Sequence, residues 1–374
     1  MKKILLGSTI LGAAALFAGA ANAETPKVTV GGFADFQVGI VDEDLDTTLR
    51  SQAFRSDTTI TFRIDGKTDS GLGYGGGIDL EADTSDDAQL QGSNASRTFV
   101  YLDGNWGRAE LGSEVGAQGT MKVDASNIAR ATGGIDGDFW YFVTRPSGQF
   151  WATPDLALGY GSGNNFGNAS QENLNKVTYY TPRFSGFQVG VSYIVDNTNK
   201  GQTVNRVDNG TQSTAENIFA GGISYDNTFG DFGVNLAATG EIGDATAAGT
   251  EDLQTWNIGG KVTYAGFSVA ASYGDIGDSL RTAASGADDT NYWTAGVAYE
   301  YGPFGVSATY LDSEYDNGTG LGSNDFQNLA LGADYKLAPG LTPYVEVDFI
   351  EADLANSTAD NDATVFIAGT QLSF

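Results

Sequence analysis

The sequence predicts an all-β protein, a transmembrane antiparallel β-barrel of about sixteen strands. Three observations carry that reading. Apolar residues recur at every second position through many short segments. The connections between those segments sort alternately into a short set and a long set, and charges keep to one face of each segment. A soluble sandwich has no reason to sort its connections by length, whereas a membrane barrel pairs short periplasmic turns with long outer loops.

The chain opens with Lys2 and Lys3, an uncharged run from Ile4 to Ala21, and Ala21-Asn22-Ala23. A charged start, an apolar stretch and a small-x-small end make a secretory signal peptide over residues 1–23, leaving 24–374 as one barrel domain. No later stretch approaches the roughly 20 apolar residues of a membrane helix. The 374 residues contain no Cys, so disulfides do not staple the fold. Nineteen basic residues stand against 47 acidic ones, a net charge of -28; without Lys2 and Lys3 the balance is -30. Such a surface is unsuited to nucleic acid. The absence of His excludes a Ser-His hydrolase and His-ligated zinc. The 52 glycines and an aromatic fraction of 11% point to many strands and tight turns rather than disorder.

The pattern is plainest in "FQVGVSYIV", where Phe187, Val189, Val191, Tyr193 and Val195 alternate with Gln188, Gly190 and Ser192. It recurs in "FGVNLAATG" from Phe232, "FSVAASYG" from Phe267 and "FGVSATYLD" from Phe304, each after a short Gly-containing turn. Alternating segments also precede those turns: "KVTYYT" from Lys176, "IFAGGISY" from Ile218, "WNIGGKVTY" from Trp256 and "WTAGVAYEY" from Trp293. The chain is therefore a series of hairpins. In "TTITFRID", Ile60, Phe62 and Ile64 alternate with Arg63 and Asp65; in "RTFVYLD", Val100 and Leu102 alternate with Arg97 and Asp103. A cation at the bilayer midplane costs roughly 2 to 4 kcal/mol, so Arg63, Arg97 and Asp103 are expected on the lumen face. Phe187, Phe232, Phe267 and Phe304 at one end, with Tyr193, Tyr273 and Tyr310 at the other, predict aromatic girdles at the two interfaces.

The long connections are acidic and rich in Gly, Asn and Ser. Asp42-Glu43-Asp44, Asp86-Asp87, Asp288-Asp289 and Asp360-Asn361-Asp362 suit solvated loop charge, with loose binding of divalent cations as the one cofactor-like possibility. The connection between Ser113 and Asn175 differs, because Phe139, Trp140, Tyr141, Phe142, Phe150 and Trp151 crowd into it. Such a loop is expected to bury some of them against the inner barrel wall. At the chain's end, Phe366, Ala368, Thr370, Leu372 and Phe374 alternate with Gly369, Gln371 and Ser373. That last strand must pair with "KVTVGGFADF", since an open edge in lipid leaves backbone groups unsatisfied.

Together, "KVTVGGFADFQVGIV", "TFRIDGKTDSGLGYGGGIDLEAD", "RTFVYLDGNWGRAELGSEVG", the long third loop and the terminal Phe374 resemble a general, non-specific porin of Gram-negative bacteria, of the sixteen-stranded trimeric family, closest in style to alphaproteobacterial members. The resemblance implies an outer-membrane channel for passive diffusion of small hydrophilic solutes and ions, narrowed by an inward-folded third loop. It implies loop acids set against wall bases, for which Asp124, Asp136 and Asp138 face Arg55, Arg63 and Arg97. The chain lacks the dense run of arginines at one strand level that the best-known members carry. The resemblance also implies a homotrimer, outer-membrane lipid as partner, and Phe374 as a signal to the barrel-assembly machinery. The net charge leads to an expected lean toward cations. Catalytic residues are not expected. A substrate-selective porin would need an aromatic track or basic ladder, and a secreted or surface adhesive β protein would be soluble without detergent.

Overall fold

The computed structural model describes residues 25–45, 48–83, 95–144, 151–157, 174–202, 204, 206, 215–355 and 360–374. The expected leader, Phe150 and the pair Asp86-Asp87 lie outside them. Sixteen strands close into one antiparallel barrel in which each strand pairs with its neighbours in sequence and β1 pairs with β16. They are β1 (Lys27–Glu43), β2 (Gln52–Lys67), β3 (Gly73–Glu81), β4 (Ala95–Gly104), β5 (Gly107–Ser113), β6 (Asn175–Tyr180), β7 (Phe187–Asp196) and β8 (Ala215–Phe229). The second half comprises β9 (Phe232–Ala245), β10 (Leu253–Tyr264), β11 (Phe267–Asp275), β12 (Asn291–Tyr301), β13 (Phe304–Asp316), β14 (Ser323–Tyr335), β15 (Leu341–Asp353) and β16 (Ala363–Ser373).

The closing seam is the one the sequence requires. Phe33 lies opposite Ser373 and Glu43 opposite Ala363, and beyond the strand the Gly32 and Phe374 backbones exchange two hydrogen bonds of 3.0 Å. The turns fit their lengths as well: Ala265 and Gly266 between β10 and β11 both have positive φ, 50° and 86°, the backbone of a two-residue hairpin that follows strand twist.

The outside of the barrel is apolar. Val189, Val191, Val262, Val269, Val297 and Leu331 are exposed there, where lipid replaces water. The girdle aromatics meet as cross-strand pairs. At the short-turn end, Phe187 packs on Tyr225, Phe232 on Tyr264, Phe267 on Tyr299 and Phe304 on Tyr335, with ring centroids 4.3 to 4.6 Å apart. At the loop end, Tyr193 packs on Phe219, Trp256 on Tyr273 and Trp293 on Tyr310. The core lies inside the barrel instead, where the third loop meets the wall.

Candidate functional site: the lumen and its third loop

The described parts of the third outer connection, residues 114–144 and 151–157, turn into the barrel and follow its inner wall. After β5 comes a short helix, α1 (Ala117–Met121), and then 3-10 turns at Ala125–Ile128, Gly134–Asp136 and Asp138–Tyr141. Small hydroxyls on the lumen face of the strands hold its backbone. Ala117 N–H donates to Ser192 on β7 at 2.8 Å, Ala125 N–H to Thr294 on β12 at 3.2 Å, and Arg130 N–H to Ser307 on β13 at 2.9 Å. Further along, Gly134 N–H donates to Glu346 on β15 at 3.1 Å, and Thr144 N–H to Glu43 on β1 at 2.8 Å. Past residue 150 the loop returns to β13, where Ala152 N–H donates to Ser313 at 2.7 Å.

Glycines clear the space for this belt. A Cβ at Gly39, Gly190, Gly259, Gly296 or Gly332 would meet Phe142, Met121, the Val123 carbonyl, Ala125 or the Arg130 carbonyl respectively. These glycines sit on the polar face of five different strands, so the wall is cut back at five of the places where the loop passes. The loop aromatics supply the adhesive. Phe139, Trp140, Trp151 and Phe326 of β14 form a stack with centroid steps of 4.5, 4.6 and 4.3 Å. Phe139 and Trp151 are buried, as expected of aromatics on an inner wall, while Tyr141 is exposed.

The three loop acids have different fates. Asp124 is fully buried: it accepts from Ser126 N–H at 2.8 Å as a cap and pairs with Lys122 at 3.7 Å, so its carboxylate does not line open water. Its expected place at the constriction fails because the loop needs a buried cap more than a free charge there. Asp136 is exposed to the lumen. The crowded barrel interior and the carboxylate of Asp155 both push its pKa up. Asp138 is half-buried; desolvation raises it too, against hydrogen bonding from Gln37 and the charge of Arg55.

Among the bases, Arg55 stands beside the loop rather than across from it. Its guanidinium bonds Asp57 at 2.7 Å and Asp138 at 3.1 Å and lies 3.9 Å over the Tyr141 ring. It ties the loop to β2. Arg63 and Arg97 occupy the wall that the loop leaves bare, both turned toward Asp79 of β3, with Arg97 also 3.8 Å from Glu114.

Arg63 and Arg97 join a basic surface that single segments did not reveal. A cavity of about 620 Å³ lies between the bare wall and α1 and reaches the turn after β6. Arg108, Lys122, Arg183 and Lys261 complete its basic lining, against Glu110 and Glu114. Arg108 bonds Glu110 at 2.6 Å and lies 3.8 Å over Tyr101, and Lys122 near the start of the loop pairs with Asp155 in the part that follows residue 150. Strand alternation already placed Arg63 and Arg97 inward; Arg108 and Lys261 follow the same rule on β5 and β10. What stayed hidden is that β2, β4 and β5 on one side and β10 on the other bring them together.

The model of a family described as Gram-negative porin matches residues 8–355. The chain belongs to that family. Outer membrane porin protein 32 of Delftia acidovorans is 30% identical over 230 residues, covering 61% of this chain and 57% of that protein. An uncharacterized protein of Rickettsia typhi is 26% identical across the full length of both chains. Among solved structures, the anion-selective porin from Comamonas acidovorans superposes with a TM-score of 0.65 at 21% identity, covering 94% of this porin and all of that one. The porin fold and outer-membrane location expected from the sequence thus stand.

Proposed function

We propose that this porin, once residues 1–23 are removed, is a passive diffusion channel for small hydrophilic solutes and ions, its aperture set by the third loop. The observation that carries the reading is the belt of loop inside a sixteen-stranded barrel, a size that encloses water rather than a packed core. Asp136 and Asp138 on the loop and Arg63 and Arg97 on the bare wall are the groups proposed to act on permeating solutes; Arg55 holds the loop. Opposed charges across a narrow passage orient dipolar solutes without binding them tightly. Liposomes containing the purified protein should swell in small sugars and cease to swell above a size limit. Swelling confined to one sugar would favour a substrate-selective porin, and no swelling would refute the channel.

Net charge argues for cations and the basic cavity for anions, so we read the channel as passing both signs. The Comamonas protein is described as anion-selective, and its fold alone does not transfer that preference. A reversal potential near zero in a salt gradient is expected, and a strong preference of either sign would contradict it.

Trimerisation is part of the same reading, through the outer face of β2 to β5. β5 and β6 have 7 and 6 residues, below the roughly 9 to 11 that a strand needs to cross a bilayer. An apolar groove of about 500 Å³ runs over Gly75 and Gly76 between Ile64, Ile78, Val100 and Leu111. A second copy would cover both features, and a native gel with monomers only would count against it. Elsewhere the outer rim meets lipid headgroups, where Glu314, Asp325 and Asp353 stand directly opposite one another on neighbouring strands. Like charges so placed repel. We propose that divalent cations shared with lipid headgroups relieve them, so a chelator should lower the temperature at which the trimer dissociates; an unchanged temperature would refute this.

A further inference from the structure

We infer that Arg130 sets the depth of the third loop, and with it the aperture, by anchoring the loop's lowest bend to two acids at the periplasmic end of the wall, Glu300 and Asp334. The inference rests on the diffusion-channel reading and names the residue on which a steady aperture depends.

The wall groups that hold the loop rank its height. Counted from the short-turn ends of their strands, Ser192 is the sixth residue of β7, Thr294 the eighth of β12 and Glu346 the sixth of β15. Ser307, which accepts from Arg130 N–H, is the fourth of β13 and the lowest of these anchors. At roughly 3.4 Å per residue, the loop backbone there lies about 10 Å from the end of the strand.

The Arg130 side chain reaches lower still. Its guanidinium pairs with Glu300, the last residue but one of β12, and stands 3.6 Å from Asp334 of β14. In the ladder Gly305 of β13 lies between the two acids, opposite Glu300 on one side and Asp334 on the other. A Cβ at Gly305 would come within 2.8 Å of Asp334 Oδ1 and 2.9 Å of Arg130 Nε. The bare glycine is what admits a guanidinium between the acids. Lys336 also stands 3.6 Å from Glu300, but its side chain is 59% exposed, against 18% for Arg130. An exposed ion pair contributes little, so the loop's own base carries the contact.

The backbone that follows shows what this anchor holds. Ala131, Gly133 and Gly134 have positive φ, 59°, 126° and 65°. Glycine adopts such angles freely, whereas alanine keeps one only where its surroundings enforce it. The bend is pinned on both sides. Before it, Arg130 is held to β12, β13 and β14; after it, the Thr132 hydroxyl and Gly134 N–H both donate to Glu346 of β15. Without the guanidinium, the first side keeps only the backbone bond to Ser307, and the bend can swing off the wall into the passage.

The test is single-channel recording of the full protein, with heat-modifiability confirming that each variant forms the barrel. Arg130→Gln should visit lower conductance levels about tenfold more often, the shift that follows from losing a hydrogen bond to a charged partner. A second variant separates charge from shape. Because the chain has no Cys, Glu300→Cys gives one thiol. A methanethiosulfonate reagent bearing a sulfonate returns an anion beside Arg130, and its trimethylammonium counterpart brings a cation instead. With reagent on both sides of the bilayer, the unsteady Glu300→Cys current should become steady with the sulfonate and stay unsteady with the ammonium. Steady currents in Arg130→Gln, or equal effects of the two reagents, would overturn the inference while leaving the channel standing. Should Arg130→Gln fail to form the barrel, the reagent pair decides. Absence of any conductance from the unmodified protein would instead refute the channel.

Discussion

The ring of Phe142 fills the space that a side chain at Gly39 would need. Phe142 ends the inward arm of the third loop and Gly39 lies on the lumen face of β1, so the loop can hug the wall only where the strand gives up its side chain. The same holds for Gly259 against the Val123 carbonyl.

Leucine at either position should push the loop toward the axis. Gly39→Leu or Gly259→Leu is expected to lower single-channel conductance and the solute size limit while the barrel still forms, with overpacking costing about 1–3 kcal/mol. Unchanged conductance in both would place the loop elsewhere.

The Arg55–Asp138 contact fastens the far arm of the loop. Asp138→Asn and Arg55→Gln should each increase open-channel current noise. The double variant should be no worse than either single one, a coupling on the order of 1 kcal/mol in a cycle of unfolding energies. Additive effects would contradict a shared tether.

Acidification should act through the loop carboxyls. Asp136 and Asp138 both have raised pKa values. A raised carboxyl holds its proton more tightly in the folded protein, so its stabilising contribution is present at low pH and lost as pH rises through the folded value. The charge at the aperture changes in the same window, and lowering pH from neutral should move the reversal potential toward anions. Asp136→Asn should remove part of that movement; an identical titration in the variant would exclude Asp136.

The terminal residue closes the barrel with Gly32 and is itself exposed at the membrane edge. Phe374→Asp, or deletion of Phe374, is expected to reduce the yield of assembled barrel while channels that do form conduct normally. Normal assembly of both variants would exclude the assembly-signal role that the resemblance implies for this residue.

Much of this architecture is legible in the sequence, because strand alternation is local. "FQVGVSYIV" becomes β7, and the pairs Phe187–Tyr225 and Tyr193–Phe219 mark its two interfaces where alternation puts them. The inward third loop is announced by its aromatics. The site is less legible, because it is assembled across strands. Ser192, Thr294 and Ser307 read only as polar-face residues until the loop backbone meets them. Asp124 looks like Asp136 in sequence, yet one is a buried cap and the other opens to the lumen. Lys261 stands alone in "WNIGGKVTY" and joins Arg63, Arg97 and Arg108 only once the barrel closes.

The most direct test of the channel is conductance in a planar bilayer after addition of detergent-purified, heat-modifiable protein. The structure predicts discrete, long-lived current steps in multiples set by the oligomer, with conductance that rises with salt. A correctly folded, membrane-inserted barrel that passes no current would contradict it.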